Sequence, residues 1–184
     1  RIKVAQVRPN PFQPRKEFDP TELAELETSL RANGLIQPIT VRRSPSGSGY
    51  EVIAGERRFR AAQRLGWTEI PALVKDLDDR MTATIALVEN LQRTDLNPIE
   101  EAEGYQRLID DFSLTQQQVA DVVGKDRSTV ANILRVLNLP AAVRRMLQEG
   151  ELTLGHARAL LALGNEMRMV DVAREVVARG LTVR

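Results

Sequence analysis

The pattern of apolar residues changes along the chain, and this change constrains the fold more than any other feature. In the first part, strand-like runs such as Ile39–Val41 and Tyr50–Ala54 alternate with helical patterns. From about Arg80 onward, the apolar residues recur only at helical spacing. We therefore predict an α+β chain, with a small mixed α/β domain in residues 1–96 and an all-helical domain in residues 97–184.

A cluster of prolines follows the first strand-like run, Ile2–Val7. Pro9, Pro11 and Pro14 exclude a helix interior and a central strand, because each has a fixed φ and lacks an amide donor. The next helix is predicted to begin at Pro20, the first helical residue after an aspartate cap. A rigid, extended segment therefore separates the first strand from the first helix.

Charge is distributed unevenly along the chain, although its net value is only +1. Residues 35–75 carry seven basic and three acidic side chains, and residues 122–184 carry ten basic and six acidic ones. Residues 76–121 carry three basic and eleven acidic side chains. The two basic segments are candidate anion-binding surfaces, although solvated faces of ordinary helices would explain each of them equally well.

The chain has no cysteine and a single histidine, His156. The absence of cysteine excludes disulfide frameworks and thiol chemistry and fits a reducing compartment. One histidine alone cannot form the usual all-protein zinc site. A helix-start or packing role is favoured for His156, and a phosphate contact beside Arg158 is the alternative. No apolar run is long enough to span a bilayer, so we predict a cytoplasmic protein with no membrane partner.

Residues 116–135 have the spacing of a helix-turn-helix. Ala120 is small where two helices would cross, Gly124 permits a positive φ in the turn, and Val130 and Ile133 fall on the inward face. An ordinary helical hairpin is the alternative. Polar side chains on the outward face can reach base edges and phosphates in a major groove. The predicted DNA-contacting residues are Thr115, Gln116, Lys125, Arg127, Ser128, Thr129, Asn132 and Arg135, with His156 and Arg158 further along the chain.

An anion site is predicted where the strand Tyr50–Ala54 leads into a helix. The chain has neither a P-loop nor a Gly-x-Gly-x-x-Gly motif. Instead, Gly55 precedes Arg57, Arg58 and Arg60 in the first turns of the helix, where the helix dipole favours negative groups. Exposed backbone amides and arginines at such a position can bind a polyphosphate. Pairing of these arginines with the acidic segment is the alternative.

Glu89 and Asn90 place a carboxylate and an amide side by side at a predicted helix end. Their oxygens suit Mg²⁺ that is held mainly by substrate phosphates, although a solvated helix end would explain them equally well in isolation. Gln13 and Arg15 lie on the rigid proline-rich segment and could close over a bound nucleotide. The sequence contains no evident strong general base, so any hydrolysis would depend on positioning and would be slow.

Five motifs occur in order along nearly the whole chain, at Pro9–Arg15, Gly34–Pro38, Gly55–Ala61, Glu89–Pro98 and Gly155–Arg158. Together they resemble the ParB family of bacterial chromosome and plasmid partition proteins. The resemblance implies a DNA clamp controlled by CTP and Mg²⁺. In such proteins, the helix-turn-helix loads a dimer at a palindromic centromere-like site on double-stranded DNA. CTP binding makes the α/β domains self-associate around DNA, and slow hydrolysis to CDP resets the clamp.

The resemblance also assigns roles to individual residues. It implies catalytic roles for Gln13, Arg15 and Glu89, and Mg²⁺ binding by Glu89 and Asn90. The selection of cytosine rests on the resemblance alone. The nucleotide-binding residues that it implies are Gly34, Leu35, Ile36, Gln37, Pro38, Gly55, Glu56, Arg57, Arg58, Ala61, Glu89, Asn90 and Arg93.

Members of this family carry an N-terminal tail that engages a partition ATPase and a C-terminal dimerisation domain. The sequence starts at the first strand and stops at Arg184, so we expect both parts to be missing. Two alternatives to a partition clamp remain: a nucleoid-occlusion paralogue with the same CTP switch, and a plain helix-turn-helix repressor whose α/β domain is an oligomerisation scaffold. For the partition clamp, we expect a cytoplasmic, nucleoid-associated location.

Overall fold

The fold was analysed in a computed structural model, which describes residues 1–12 and 19–184. Gln13 and Arg15, both predicted to be catalytic, lie outside the described residues. Within those two ranges, no helix has the length and apolar character needed to cross a membrane.

The chain divides into two compact units, Arg1–Asn90 and Leu91–Arg184. The predicted boundary after residue 96 falls inside the second unit, because the last helix of the first region ends at the division itself. The first unit mixes strands with helices, and the second is helical. This organisation confirms the predicted α+β class.

Short strands in two sheets form the framework of the first unit. In the larger sheet, the strand order is β2-β4-β3-β6, with β4 and β3 antiparallel and the other two pairings parallel. In the smaller sheet, β1 pairs antiparallel with β5. The strands are β1 (Ile2–Lys3), β2 (Val7–Arg8), β3 (Ile39–Arg43), β4 (Tyr50–Ala54), β5 (Glu69–Ile70) and β6 (Ala72–Lys75).

The strand-like run Ile2–Val7 is not one strand. A 3-10 turn at Val4–Gln6 separates β1 from β2, which belong to different sheets. The amide of Val4 donates to the carbonyl of Thr68, and Val4 and Val7 are both buried in the same core. The turn therefore lets two residues at odd spacing reach one core, which a regular strand could not do.

The helices of the first unit are α1 (Pro20–Asn33), α2 (Glu56–Arg64) and α3 (Asp79–Leu91). Asp19 caps α1 by accepting a hydrogen bond from the amide of Thr21 at 2.8 Å, as the sequence predicts. Gly34 ends the helix at a φ of 68°. The start predicted for α1 is thus confirmed.

Helix α2 is held between two apolar clusters. Phe59, which is fully buried, packs with Ile39, Val41 and Val52 from the sheet, whereas Ala61 packs on the other side with apolar residues of α1. Since both sides of the helix are buried, its first turn is held firmly at the end of β4. That first turn carries the predicted anion site.

A buried arginine links the sheet to the start of α3. Arg42 is only 2% exposed and makes ion pairs with Glu51 at 2.6 Å and with Asp79 at 2.7 Å. Its guanidinium also lies 5.8 Å from the centre of the Phe12 ring. Burial alone would lower the pKa of Arg42, but its hydrogen bonds to the two carboxylates raise it above its usual value. The side chain therefore remains charged at any pH at which the protein is folded.

The second unit is a series of short helices. Asn97 and Thr115 each form a capping box with the residue three positions later, and these boxes fix the starts of two of the helices. A 3-10 turn at Arg135–Asn138 follows α6 directly. The helices are α4 (Pro98–Asp110), α5 (Gln116–Val123), α6 (Arg127–Leu134), α7 (Ala141–Gln148), α8 (Leu154–Leu161) and α9 (Glu166–Arg179).

Candidate nucleotide and nucleic-acid sites

The predicted anion site begins at a glycine that no other residue could easily replace. Gly55 is the N-cap of α2, with a φ of 94°. A Cβ atom at this position would lie 3.0 Å from the Ile39 side chain and 3.3 Å from the guanidinium of Arg58. The sharp entry from β4 into α2 and the close packing of Arg58 therefore both depend on glycine.

Arg58 joins α2 to the predicted nucleotide loop at residues 34–38. One of its terminal nitrogens donates to the carbonyl of Gln37 at 2.8 Å and to the carbonyl of Pro38 at 3.2 Å. Two motifs that lie twenty residues apart in the sequence thus meet at the first turn of α2. The arginine keeps its other terminal nitrogen at the helix start, where helix amides attract anions.

The three arginines of α2 do not converge on one point. Arg57 pairs with Glu22 of α1 at 3.1 Å, and both side chains are more than 40% exposed. Arg60 pairs with Glu56 at 3.1 Å. In the structure, neighbouring carboxylates hold two of these side chains, and a joint role of the three arginines in binding a polyphosphate stays a prediction. Arg58 is the one that reaches the nucleotide loop.

Glu56 is a buried acceptor at the first position of α2. Its side chain is 5% exposed, and its oxygens accept from the backbone amide of Asn10 at 3.3 Å and from Nε of Arg60 at 3.1 Å. Since a carboxylate offers no donor to a phosphate, Glu56 supports the site through its neighbours. The contact with Asn10 was missed by the sequence analysis, although Pro9-Asn10-Pro11 was marked as a rigid segment.

Glu89 lies in the last turns of α3, close enough to α2 to feel its charges. Partial burial of the carboxyl group raises the pKa of Glu89, Arg58 lowers it, and Glu56 raises it further. Carboxylate oxygens are ligands that Mg²⁺ prefers, and Mg²⁺ binding by Glu89 stays a prediction. Asn90 follows as a half-buried residue and would add an amide oxygen.

The predicted nucleotide-binding residues in the range 34–38 and Ala61 differ in how exposed they are to solvent. Ile36 is 83% exposed, whereas Leu35 packs against the core and Ala61 is fully buried. Ala61 therefore acts as a packing residue, and its side chain has no access to a ligand. A cavity of about 660 Å³ lies beside Gly34 and Leu35, but its other walls come from Arg1, Asn33 and residues in the range 66–71 rather than from the first turn of α2.

Arg93 belongs to the second unit, whereas the other predicted nucleotide-binding residues belong to the first. Its guanidinium forms a two-pronged pair with Asp95, at 3.0 Å through Nε and 2.5 Å through a terminal nitrogen. The pair stabilises the turn between α3 and α4. A nucleotide contact by Arg93 would require that pair to open or to share its charge.

Helices α5 and α6 form the predicted helix-turn-helix. Ala120 and Val130 are fully buried, Ile133 is 4% exposed, and Gly124 ends α5 at a φ of 70°. Asp126 has the extended backbone of an N-cap, but its side chain accepts no cap hydrogen bond. The inward face and the glycine turn are therefore confirmed. The outward residues Arg127, Ser128 and Arg135 are exposed, and Thr129 and Asn132 are half-buried.

Two other predicted DNA contacts, Thr115 and Lys125, are engaged within the protein. Thr115 caps α5 by accepting from the amide of Gln118, and Gln116 is the first residue of that helix. Lys125, in the turn after Gly124, forms an ion pair with Glu101 of α4. Thr115 and Lys125 thus each have a structural role within the second unit.

Lys125 docks the turn of the helix-turn-helix onto α4. The hydroxyl of Tyr105 donates to the same oxygen of Glu101 at 2.5 Å, and the Lys125 ammonium lies 6.0 Å from the centre of the Tyr105 ring. Tyr105 is 1% exposed, and burial together with the hydrogen bond to Glu101 raises its pKa. The lysine charge is therefore already balanced inside the second unit.

We expect replacement of Lys125 with methionine to leave the salt dependence of DNA binding unchanged. A lysine that neutralised a DNA phosphate would contribute about one unit to the slope of log affinity against log salt. Because Glu101 already holds this lysine, its removal should cost stability of the second unit instead. Binding to a DNA duplex at several salt concentrations, together with thermal unfolding, separates the two cases. A slope that falls by about one unit would restore Lys125 as a phosphate contact.

His156 closes the start of α8. Its Nδ1 accepts from the backbone amide of Thr153 at 3.1 Å, and its Nε2 donates to the carbonyl of Leu181 at 3.1 Å. This arrangement confirms the favoured helix-start role. Both ring nitrogens are engaged, so a DNA contact by His156 would require one of these bonds to break. Arg158, two residues further on, is exposed.

Each of the two units matches the model of a known protein family. Residues 1–91 match the family model for the ParB N-terminal domain, and residues 94–184 match the model for the ParB HTH domain. A chromosome-partitioning protein of Thermus thermophilus, Spo0J, is 55% identical over the whole chain, which covers 67% of that protein. A nucleoid occlusion protein of Geobacillus thermodenitrificans is 50% identical, and the chain covers 65% of its length.

A solved structure has the same fold. It is the C-terminally truncated chromosome-partitioning protein ParB from Caulobacter crescentus, complexed to the centromeric parS site. The two are 43% identical with a TM-score of 0.84, and the match covers 99% of this chain and 93% of the other. High identity along the whole chain, both family models and a shared fold agree: the chain belongs to the ParB family.

Proposed function

We propose that this chain is the core of a chromosome-partition protein that binds double-stranded DNA and is switched by CTP and Mg²⁺. The observation that carries the nucleotide part is the contact of Arg58 with residues 37 and 38, beside Glu56 and Glu89. An arginine beside a helix start suits a polyphosphate, and the oxygens of Glu89 and Asn90 suit the Mg²⁺ that would accompany it. The resemblance to ParB proteins supplies the choice of cytosine.

In this proposal, Arg58 and the amides after Gly55 bind the phosphates. Mg²⁺, when bound, would neutralise phosphate charge, and Glu89 and Asn90 would hold it. Gln13, Arg15 and Glu89 would support slow hydrolysis of CTP to CDP through positioning and charge stabilisation. Arg57 and Ala61 are left out of direct contact, because one pairs with α1 and the other is buried.

The DNA part of the proposal rests on α5 and α6. The exposed face of α6 would enter the major groove of a palindromic centromere-like site, as is typical of a recognition helix. We also propose that CTP drives self-association through the first unit, that a partition ATPase is a further partner, and that the protein works on the nucleoid in the cytoplasm. The parS-bound Caulobacter relative supports the choice of DNA.

Replacement of Arg127 with alanine should weaken binding to a parS duplex about 10- to 100-fold, because a side chain that reads a base edge contributes roughly 1–3 kcal/mol. Arg127 is the exposed first residue of α6. Replacement of the exposed Arg174 of α9 with alanine removes the same charge elsewhere in the unit and serves as the control. Fluorescence anisotropy with parS and with a scrambled duplex measures both. Equal effects of the two substitutions would exclude α6 as the reading helix.

The nucleoid-occlusion function is the second candidate, because the Geobacillus relative is nearly as similar as the Thermus one. The two functions share the nucleotide switch and differ in the DNA site. Tighter binding to parS than to a scrambled duplex would favour partition. Equal binding to both would favour the alternative.

Calorimetry with CTP, ATP, GTP and UTP, each with Mg²⁺, tests the switch. We expect CTP to bind and the other three to bind much more weakly. If CTP does not bind with Mg²⁺ present, the switch is excluded and the first unit becomes an oligomerisation scaffold of a helix-turn-helix repressor.

A further inference from the structure

A buried amide group beside the first turn of α2 lacks a hydrogen-bond partner. Asn10 is 6% exposed, and its Nδ2 atom makes no hydrogen bond to any of the residues that the structure describes. Its other polar atoms are satisfied: the backbone amide donates to Glu56, and Oδ1 accepts from the amide of Phe12 at 2.8 Å. Buried donors are nearly always paired in proteins, so this one calls for a physical explanation.

The orientation of the Asn10 side chain is determined by its own hydrogen bond. If the amide were turned over, its NH2 group would face the N–H of Phe12, and two donors would oppose each other. Nδ2 is therefore the atom left without a partner. The carboxylate of Glu56 is already used by the backbone of Asn10 and by Arg60. Within residues 1–12 and 19–184, no acceptor makes a hydrogen bond with this atom.

We infer that Nδ2 of Asn10 donates a hydrogen bond to a phosphate oxygen of the bound nucleotide. The backbone amide of Asn10 donates to Glu56, the first residue of α2, so Asn10 lies beside the helix start where the phosphates are proposed to bind. Phosphate oxygens are strong acceptors that a buried donor can satisfy. The inference rests on the proposed function and adds to it a contact from the segment before the first helix.

If this inference is right, removal of the Asn10 side-chain donor should lower nucleotide affinity without lowering the thermal stability of the free protein. An unpaired buried donor destabilises the free protein, so its removal should not lower the melting temperature. The same removal should weaken nucleotide binding, because a hydrogen bond to a charged group is lost. A purely structural asparagine would instead lower the melting temperature when replaced.

The test uses Asn10→Ser, in which the hydroxyl can still accept from the amide of Phe12 as a serine turn does. We expect Mg²⁺–CTP affinity to fall about 10-fold or more by calorimetry, and the melting temperature without nucleotide to stay equal or rise. Inorganic triphosphate, used as a competitor, should lose affinity in parallel. Asn165→Ser, the same change at the cap of α9, is the control and should alter neither affinity.

Each other outcome has a definite meaning. If the unsubstituted protein binds CTP and Asn10→Ser binds it equally well, this inference fails and the proposed function stands. If CTP does not bind the unsubstituted protein, both fail. A lower melting temperature for Asn10→Ser, or failure of both Asn10→Ser and Asn10→Asp to fold, would show a structural role. Unchanged competition by triphosphate would overturn the phosphate contact.

Discussion

Replacement of Arg42 with methionine should lower the free energy of unfolding of the first unit by about 3–5 kcal/mol, the usual cost of removing one partner of a buried ion pair. The substitution leaves the carboxylate of Glu51, which is 14% exposed, without its counter-charge. It also frees Asp79 at the start of α3, but that carboxylate is 66% exposed and regains water easily. The expected loss therefore comes mainly from Glu51.

Trp67, the single tryptophan, lies in the first unit and reports its unfolding in urea by fluorescence. Arg43→Met, at the neighbouring exposed position of β3, is the control and should change stability by less than about 0.5 kcal/mol. A second substitution, Glu51→Met in the Arg42→Met background, should recover much of the loss, because an apolar pair leaves no buried charge. Equal losses for Arg42→Met and Arg43→Met would mean that the buried pair contributes nothing.

Replacement of Arg58 with alanine should reduce nucleotide affinity about 100-fold or more and leave binding to a parS duplex nearly unchanged. The charge-assisted hydrogen bonds of an arginine to phosphate contribute roughly 1.5–3 kcal/mol each. The substitution also removes the two bonds that hold the carbonyls of Gln37 and Pro38 at the helix start. The substitution thus removes both the phosphate contact and the bonds that position residues 37 and 38, so we expect a large loss of nucleotide affinity.

Arg57→Ala gives the matched control for this prediction. It removes the same charge from the preceding position of the helix, but the Arg57 side chain pairs with the exposed Glu22. We expect Arg57→Ala to weaken CTP binding less than about 5-fold, because exposed pairs contribute under 1 kcal/mol. Calorimetry with Mg²⁺–CTP and anisotropy with parS measure both variants. Simultaneous loss of nucleotide and DNA binding in Arg58→Ala would contradict the division into two working units.

Sequence patterns predicted the organisation of this chain well where local rules decide it. The inward face of α6, with Val130 and Ile133, follows from helical spacing, and Gly124 follows from the positive φ that the turn requires. The caps at Asn97 and Thr115 are equally local, because each needs only the residue three positions later. Such features need no knowledge of tertiary packing.

The side-chain partners in the candidate site could not be predicted in the same way. Arg57, Arg58 and Arg60 are equivalent by sequence, and they differ only because α1, residues 37–38 and Glu56 lie in three directions. Burial of Arg42 depends on Glu51 across the sheet and on Asp79 from the next helix. The unpaired amide of Asn10 is visible only once the core around it is complete.

The strand pairings of the first unit have a consequence for the rate of folding. Ile2 pairs with Ile70, Val7 with Tyr50, and Ile39 with Ala72. Each pairing must therefore close a long loop, at a cost in chain entropy, before its strand hydrogen bonds can form. The second unit instead packs helices that are neighbours in sequence, such as α5 with α6 and α8 with α9. Local contacts form faster than distant ones. In refolding from denaturant, the second unit should therefore fold before the first.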